Sequence, residues 1–184
     1  MPRETDCFPT GRARSALVLG GARSGKSAFA ERLARETRAA RVYVATARAW
    51  DDEMRARIDQ HRRDRGADWE TVEAPHDLAD AIRAADGPGR TILVDCLTLW
   101  LTNRMLAEAD CEAETAALAD ALPGLSAQVV FVSNELGMGL VPETPLGRAF
   151  RDAQGRLNQR MAAACDLAVF VAAGLPLVLK APGR

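Results

Sequence analysis

Residues 20–27 have the composition and spacing of a phosphate-binding loop. They are Gly20, Gly21, Ala22, Arg23, Ser24, Gly25, Lys26 and Ser27, and they fit the pattern G-x-x-x-x-G-K-[ST]. Glycines let the backbone curl so that several N–H groups point inward, and the helix expected next adds the positive end of its dipole. Lys26 would reach the β- and γ-phosphates of a nucleotide, and Ser27 would bind Mg²⁺. The alternative is a glycine-rich turn that happens to contain Lys and Ser.

An acidic residue near the metal is the second requirement of such a site, and it normally ends a neighbouring apolar strand. Asp95 directly follows the apolar run 91–94 and fits this requirement. A cap on the helix that comes next is the alternative role for Asp95. These residues favour a nucleoside triphosphate-binding protein and leave open what the nucleotide is used for.

Lysine and histidine are scarce in this chain. Of its 24 basic residues, 22 are Arg, so Lys26 and Lys180 are the only lysines and His61 and His76 the only histidines. His61 lies among arginines, which favour the neutral, nucleophilic imidazole by opposing its protonation. A solvated surface position is the alternative for His61. His76 follows a proline at a predicted helix start, and we expect a structural role for it.

Apolar runs of strand length alternate with segments of helical period along the chain, which predicts an α/β domain around a mostly parallel sheet. Strands are expected at residues 16–19, 41–45, 91–94, 129–132, 167–171 and 175–179, with a short extended piece at 69–72. Helices are expected after residue 27, at 51–65, after 75, at 97–107 and 111–122, and up to about 164. An Ala-Gly turn joins the last two strands, so one terminal strand is expected to run antiparallel.

Length and composition limit the possible classes. With 184 residues, 48% of them hydrophobic and 27% charged, the chain predicts one globular domain at 15–184 preceded by a flexible tail at 1–14. A net charge of −1 gives no global electrostatic argument for nucleic acid. The longest nearly apolar stretch, 167–179, is broken by Gly174 and Pro176, so no membrane span is expected. Four dispersed cysteines favour a reduced, cytoplasmic setting.

Six blocks occur in order between about residues 17 and 180. They are G-G-A-R-S-G-K-S, A-T-A with D-D-E-M-x-x-R-I-x-x-H-R, W-E-T-V-E-A-P, L-V-D-C-L-T-L-W, S-N-E-L-G-M-G-L-V-P and F-R-D-A-Q-G-R-L-N-Q-R. Together they resemble adenosylcobinamide kinase/adenosylcobinamide-phosphate guanylyltransferase, a bifunctional family of cobalamin nucleotide-loop assembly. The resemblance implies a P-loop NTPase fold of the RecA-like, three-layer type. It also implies two reactions, which use ATP or GTP to phosphorylate adenosylcobinamide and GTP to convert adenosylcobinamide phosphate to adenosylcobinamide-GDP.

The resemblance also implies roles for individual positions. His61 would carry GMP as a guanylyl-histidine, Lys26 would act on the transferable phosphates, and Ser27 and Asp95 would hold Mg²⁺. The nucleotide would be lined by the phosphate loop and by Ala45, Thr46, Ala47, Arg62, Arg63, Asp64, Arg65, Glu73 and Asp95. Glu73 is the candidate for guanine recognition, because a carboxylate accepts from N1–H and the exocyclic NH₂ together; a merely structural Glu is the alternative.

Three further expectations concern the acceptor, the assembly and other functions. The loop from Asn134 to Gly139 would contact the corrinoid, with an ordinary connecting loop as the alternative. The family suggests a homotrimer, in which His61 reaches the α-phosphate within its own subunit or from a neighbour. Two other functions fit the residues, namely a plain P-loop small-molecule kinase with an inert His61 and a nucleotide-dependent switch module resembling a RecA-type ATPase core.

Overall fold

A seven-stranded sheet forms the centre of the protein in a computed structural model that describes residues 13–37, 39–48, 52 and 68–182. The strands are β1 (Ser15–Gly20), β2 (Ala40–Ala45), β3 (Trp69–Glu73), β4 (Arg90–Asp95), β5 (Gln128–Asn134), β6 (Leu167–Ala172) and β7 (Leu175–Lys180). Their order is β3-β2-β4-β5-β1-β6-β7, and every neighbouring pair is parallel except β6 and β7. The predicted parallel sheet with an antiparallel terminal strand is therefore confirmed.

The central strands are apolar along their length because both faces of the sheet are covered. All six residues of β1 are buried, and so are the five inner residues of β5. The segment expected to be a short extended piece is a full strand, β3, which pairs with β2 from Trp69 to Glu73. It lies at the sheet edge, where exposed Glu70 and Thr71 interrupt the apolar run.

Five α-helices connect the strands within the described residues. They are α1 (Lys26–Arg35), α2 (Leu78–Ala85), α3 (Leu97–Leu106), α4 (Cys111–Ala121) and α5 (Pro145–Ala164), and a 3-10 turn follows α4 at Leu122–Gly124. Helix α5 begins at Pro145 after its N-cap residue Thr144, whose hydroxyl accepts from the Gly147 amide at 3.1 Å. The helix predicted at 51–65 falls outside the described residues except for position 52.

The helices form the two outer layers of a three-layer domain. On one face of the sheet, α1 buries Phe29 and Leu33 against β1 and its neighbours. On the other face, α2, α3, α4 and α5 share a larger core that includes Trp100, Leu118 and Leu157. None of the helices in the described part of the chain has the length and apolarity needed to cross a bilayer.

Both ends of the described chain are held by specific contacts. Ala13 and Arg14, which the sequence assigned to the tail, are part of the fold, because the Ala13 carbonyl accepts from Gln128 and the Arg14 amide donates to Asp166. At the other end, the Lys180 ammonium group donates to three backbone carbonyls at the end of α5, those of Ala162, Ala163 and Cys165. Lys180 therefore has a structural role at the end of α5.

Candidate active site

The carboxyl ends of the parallel strands place the predicted acidic residues in one row. Glu73 on β3 is in register with Ala45 on β2, and Ala45 is in register with Asp95 on β4. The two carboxylates therefore lie at the same edge of the sheet with one strand between them. This is the edge at which open α/β sheets bind ligands.

The phosphate loop leaves the same edge from β1. A Cβ on Gly20 would lie 2.5 Å from the Val171 carbonyl and 2.4 Å from the Ser24 hydroxyl, so only glycine fits there. Gly25 has a φ of +93° and lies against Gly174. The Gly174 amide donates to the Ser24 carbonyl at 2.8 Å. The turn between β6 and β7 thus supports the loop from behind.

Two polar groups of the loop fit an anionic ligand. The Ser24 hydroxyl is buried and has no hydrogen-bond partner within the described chain. The Lys26 ammonium group donates back to the Gly21 carbonyl at 3.2 Å, across the loop. A buried hydroxyl and a cation beside a curled backbone are groups that triphosphate oxygens can satisfy.

Asp95 lies on the second strand from β1, because β5 is inserted between β1 and β4. The sequence placed it at the end of a neighbouring strand, so the separation is one strand larger than expected. The alternative role as a helix cap is wrong, since Cys96 is the N-cap residue of α3. Burial raises the pKa of the Cys96 thiol to about 12, with Asp95 adding to the rise and Lys26 opposing it.

Thr46 is fully buried and fixes the residue after Asp95. Its hydroxyl donates to the Cys96 carbonyl at 2.7 Å and accepts from the Cys96 amide at 2.8 Å. The Thr46 hydroxyl therefore uses both its donor and an acceptor position on the backbone of Cys96. Thr46 sits between Ala45 and Ala47, so it fixes the segment predicted to line the nucleotide to the strand that carries Asp95.

Asn103 on α3 is a positioning residue that the sequence did not reveal. It is 3% exposed, and its amide group donates to the carbonyls of Thr46 and Pro75 at 2.8 and 3.0 Å. A single side chain therefore ties together the loops that follow β2 and β3. The L-T-L-W-L-T-N run indicates only a helix, because its partners lie far away in the sequence.

The loop after β5 begins beside the phosphate loop. The Glu135 amide donates to the Gly20 carbonyl at 3.1 Å, and the Asn134 amide donates to the Thr98 hydroxyl at 2.9 Å. The Glu135 carboxylate accepts from the amides of Gly137 and Met138 and so shapes the next turn. Large apolar side chains beyond it are exposed, including Leu140 at 96%.

The structure thus gathers the phosphate loop, the Ala45–Ala47 segment, Glu73 and Asp95 at one edge of the sheet. The remaining predicted site residues lie outside the described residues; they are His61, Arg62, Arg63, Asp64 and Arg65. Their roles stay predictions. Side chains in the described ranges include no group of three or more His, Cys, Asp or Glu that could hold a metal ion.

Comparison with known proteins connects this geometry to a family. The family described as cobinamide kinase / cobinamide phosphate guanyltransferase matches residues 16–179. The bifunctional adenosylcobalamin biosynthesis protein CobP of Pseudomonas aeruginosa is 48% identical over 166 residues, which cover 89% of this chain and 96% of that protein. The chain belongs to this cobinamide kinase family.

A second relative supports the membership. The CobU protein of Escherichia coli is 40% identical over 179 residues, covering 89% of this chain and 98% of that protein. As a member of the cobinamide kinase family, the chain is a bifunctional enzyme of cobalamin biosynthesis, a kinase and a guanylyltransferase. The switch-module alternative is therefore wrong.

Solved structures show how widely the fold of this cobinamide kinase is used. The flagellar accessory protein FlaH of Methanocaldococcus jannaschii matches with a TM-score of 0.51 at 13% identity, covering 91% of this chain and 78% of that one. An ATPase from the type III secretion system of pathogenic bacteria matches with a TM-score of 0.53 at 10% identity, covering 89% and 56%. Such low identities show the fold alone, and they confirm the P-loop NTPase architecture.

Proposed function

We propose that this enzyme phosphorylates the aminopropanol hydroxyl of adenosylcobinamide with ATP or GTP and then transfers GMP from GTP to the product. The final product is adenosylcobinamide-GDP. Family membership over residues 16–179 is the observation that carries the proposal. The phosphate loop at the end of β1 supports the nucleotide half of it, because its glycines, buried hydroxyl and lysine suit a triphosphate.

In the kinase step the substrate hydroxyl oxygen attacks the γ-phosphorus. The bond between that phosphorus and the β–γ bridging oxygen breaks, the nucleoside diphosphate leaves, and the hydroxyl proton passes to solvent. Lys26 would exchange its contact with the Gly21 carbonyl for the transferring phosphate. Loop amides and a cation held in place before the reaction stabilise the charge that develops on the phosphoryl oxygens.

Mg²⁺ would be held by Ser27 and Asp95 together with phosphate oxygens. Such sites need only one or two protein oxygens, because phosphates and water supply the rest of the octahedron. Ser27 follows Lys26 in the first turn of α1, and Asp95 ends β4 at the same edge of the sheet. When bound, the ion would neutralise charge on the phosphates.

In the guanylyl step we assign the nucleophile to His61. An imidazole nitrogen attacks the α-phosphorus of GTP, a P–N bond forms, and pyrophosphate leaves. A phosphate oxygen of adenosylcobinamide phosphate then attacks the same phosphorus, and the P–N bond breaks. Double displacement suits two anionic substrates, because the covalent intermediate separates their encounters with the enzyme.

Specificity for guanine and for the corrinoid is assigned to two places on the same edge. The exposed Glu73 at the end of β3 would accept from guanine, and the segment from Ala45 to Ala47 would line the nucleotide. The predicted segment from Arg62 to Arg65 would add positive charge. Exposed Met138, Leu140 and Val141 offer an apolar surface to the flat corrinoid, in line with the expected role of their loop.

We also propose that the enzyme is a homotrimer of the cytoplasm. The family resemblance suggests the trimer. The three cysteines in the described chain, Cys96, Cys111 and Cys165, are free thiols, which fits a reducing compartment supplied with ATP and GTP.

Labelled GTP tests the covalent step. Incubation with GTP labelled at the α-phosphate should leave acid-labile, alkali-stable label on the chain, and His61→Ala should remove it. His76→Ala, which changes the only other histidine, is the matched control and should keep the label. GTP labelled at the γ-phosphate should leave no label, because that phosphate departs with pyrophosphate. Label that survives His61→Ala would refute the assignment of the nucleophile to His61, and absence of label from the wild-type protein would refute the covalent intermediate.

A further inference from the structure

Asn134 ends β5 between the two parts of the nucleotide site. It is in register with Gly20 of β1, the first residue of the phosphate loop. On the other side of β5, Asp95 of β4 is in register with Val132, two residues before Asn134. Asn134 therefore extends about 7 Å beyond the level of Asp95 at the carboxyl edge of the sheet.

The side chain of Asn134 belongs to the face of the sheet that α1 covers. Val132 packs in the same core cluster as α1, whereas Ser133 donates to the side chain of Asn158 on α5, which covers the opposite face. Because successive side chains of a strand alternate between faces, Asn134 shares the face of Val132. The phosphate loop enters α1 at Lys26 on this same face.

Buried polar side chains hold the backbone of Asn134 in place. Its carbonyl accepts from the Asn158 side chain at 2.9 Å, and its amide donates to the Thr98 hydroxyl at 2.9 Å. Gln154, which is 1% exposed, donates to Asn158 at 3.0 Å and to Ser133 at 2.9 Å. The side-chain amide of the half-buried Asn134 takes no part in these contacts. The network thus fixes the residue and leaves that amide for a ligand.

The third phosphate of a bound nucleotide is expected beside this amide. The Mg²⁺ ion that Ser27 and Asp95 would hold bridges β- and γ-phosphate oxygens. The γ-phosphate would therefore lie on the side of the loop that faces β4, and β5 is the strand between β1 and β4. A side-chain amide can donate two hydrogen bonds to such oxygens.

We propose that the side-chain amide of Asn134 donates to a γ-phosphate oxygen and stabilises its charge during phosphoryl transfer, with Asn158 as the positioning residue. The catalytic part of this inference rests on the proposed function, whereas the contact with the triphosphate does not. A donor that is already held in place before the reaction loses little energy in reorganisation. The loop that follows, from Glu135 onward, stays available to the corrinoid.

Nucleotide binding without corrinoid tests the contact itself. The measurements use His61→Ala protein, which lacks the proposed nucleophile, with Mg²⁺ present. Asn134→Ala should weaken the Kd of the β,γ-imido analogue of GTP about 10-fold or more, and that of GDP less than about twofold, because GDP has no γ-phosphate. Gln159→Ala, which truncates an exposed amide on α5, is the matched control and should change neither value. Equal weakening for both nucleotides, or none, would overturn the proposal.

Asn158→Ala tests the positioning role by the same pair of measurements. Its loss should again fall on the triphosphate, and by a smaller factor than in Asn134→Ala, because the donor is displaced but still present. A merely structural role of Asn158 would weaken both nucleotides alike, and that result would refute the positioning role.

Turnover then separates the catalytic part from binding. Asn134→Ala should lower the kcat of adenosylcobinamide phosphorylation at least about 10-fold more than the kcat of guanylyl transfer. The reason is that the γ-phosphate is transferred in the first reaction and departs within pyrophosphate in the second. Equal losses of kcat would refute a role in phosphoryl transfer. A protein that phosphorylates no corrinoid but shows the loss specific to the triphosphate would support the contact and refute the proposed function.

Discussion

Gly20 is a position where the backbones of three segments meet. The carbonyl of Val171 and the hydroxyl of Ser24 leave no space for a methyl group, and the Gly20 carbonyl accepts from Glu135. The glycine is therefore needed for the packing behind the loop. A motif search detects this residue, but only the structure shows what surrounds it.

Gly20→Ala should destabilise the fold by about 1–3 kcal/mol and weaken nucleotide binding, because the carbonyl of Val171 or the loop must move. Urea unfolding and a GTP titration would measure the two effects. Gly155→Ala is the control, a glycine within α5 whose added methyl meets no atom within 4 Å. It should stabilise the protein by about 0.5–1 kcal/mol. Equal stability of the two variants would contradict the packing argument.

Thr46→Val keeps the shape of a buried side chain and removes its hydroxyl. The carbonyl and amide of Cys96 would each lose a partner, so we expect a loss of roughly 2–4 kcal/mol in the free energy of unfolding. Thr46→Ser retains the hydroxyl and should lose only about 1 kcal/mol for the methyl group. Chemical denaturation of the two variants would measure both losses. A smaller loss in the free energy of unfolding for Thr46→Val than for Thr46→Ser would contradict the prediction.

Connections between elements depend on a few long-range polar contacts. Lys180 joins β7 to the end of α5, and Asp86 joins the end of α2 to the residues before β5. Both contacts link segments that are distant in sequence. Substitutions at these positions should therefore alter the docking of elements and leave the elements themselves intact.

Lys180→Met removes the cation at the carboxyl end of α5. The ammonium group there donates to three carbonyls and interacts favourably with the negative end of the helix dipole. We expect a loss of about 1 kcal/mol and faster hydrogen exchange in β7 and the last turn of α5. Lys180→Arg keeps the charge and the donors and should restore most of the protection. Unchanged exchange in Lys180→Met would show that the contact does not fix the strand.

The Asp86 carboxylate accepts from the amides of Ala127 and Ser126, and the Ala127 bond is the main reason that its pKa is lowered below 3.8. A lowered folded-state pKa means that the stabilisation is present above the unfolded-state value and is lost as pH falls through the folded-state value. Asp86→Asn should thus lose about 1 kcal/mol at pH 7.

That difference should shrink below about pH 4, and urea unfolding from pH 7 to 3 would follow it. Asp80→Asn is the control, because Asp80 forms an exposed pair with Arg83 and should change stability by less than about 0.5 kcal/mol. A difference for Asp86→Asn that grows toward acid pH would contradict the assignment.

At the scale of the whole molecule, the sequence predicts features that depend on neighbouring residues. The phosphate loop was recognisable because its chemistry lies within eight consecutive positions, and buried parallel strands such as β5 read as apolar runs. Edge strand β3 was predicted less fully because exposed Glu70 and Thr71 break its pattern. The partners of Thr46 and Asn103 lie 50 and 57 positions away, which no local pattern encodes. The pairing of β5 with β1 likewise joins segments that are far apart in the sequence, so no local pattern predicts it.

The proposed trimer is tested at this scale. Light scattering on the eluting protein should give three times the 19.8 kDa mass of one chain, and the value should hold over a tenfold dilution. A mass of one chain with both activities retained would refute the trimer and place His61 within the subunit that holds its GTP. Mixing Lys26→Ala with His61→Ala protein adds a second readout, since restored labelling requires that neighbouring subunits share a site.

The hydrogen bond from the Gly174 amide to the Ser24 carbonyl limits when the phosphate loop can take its final form during synthesis on the ribosome. The phosphate loop is translated well over a hundred residues before the turn that supports it. Strand β1, which precedes the loop, cannot pair on either side at that stage, because both of its neighbours, β5 and β6, are translated more than a hundred residues later. A growing chain thus carries an unformed loop until β6 and the turn after it have been made. Nucleotide can then assist folding only in a chain that has reached this turn, by stabilising β5 and β6 as they pair with β1.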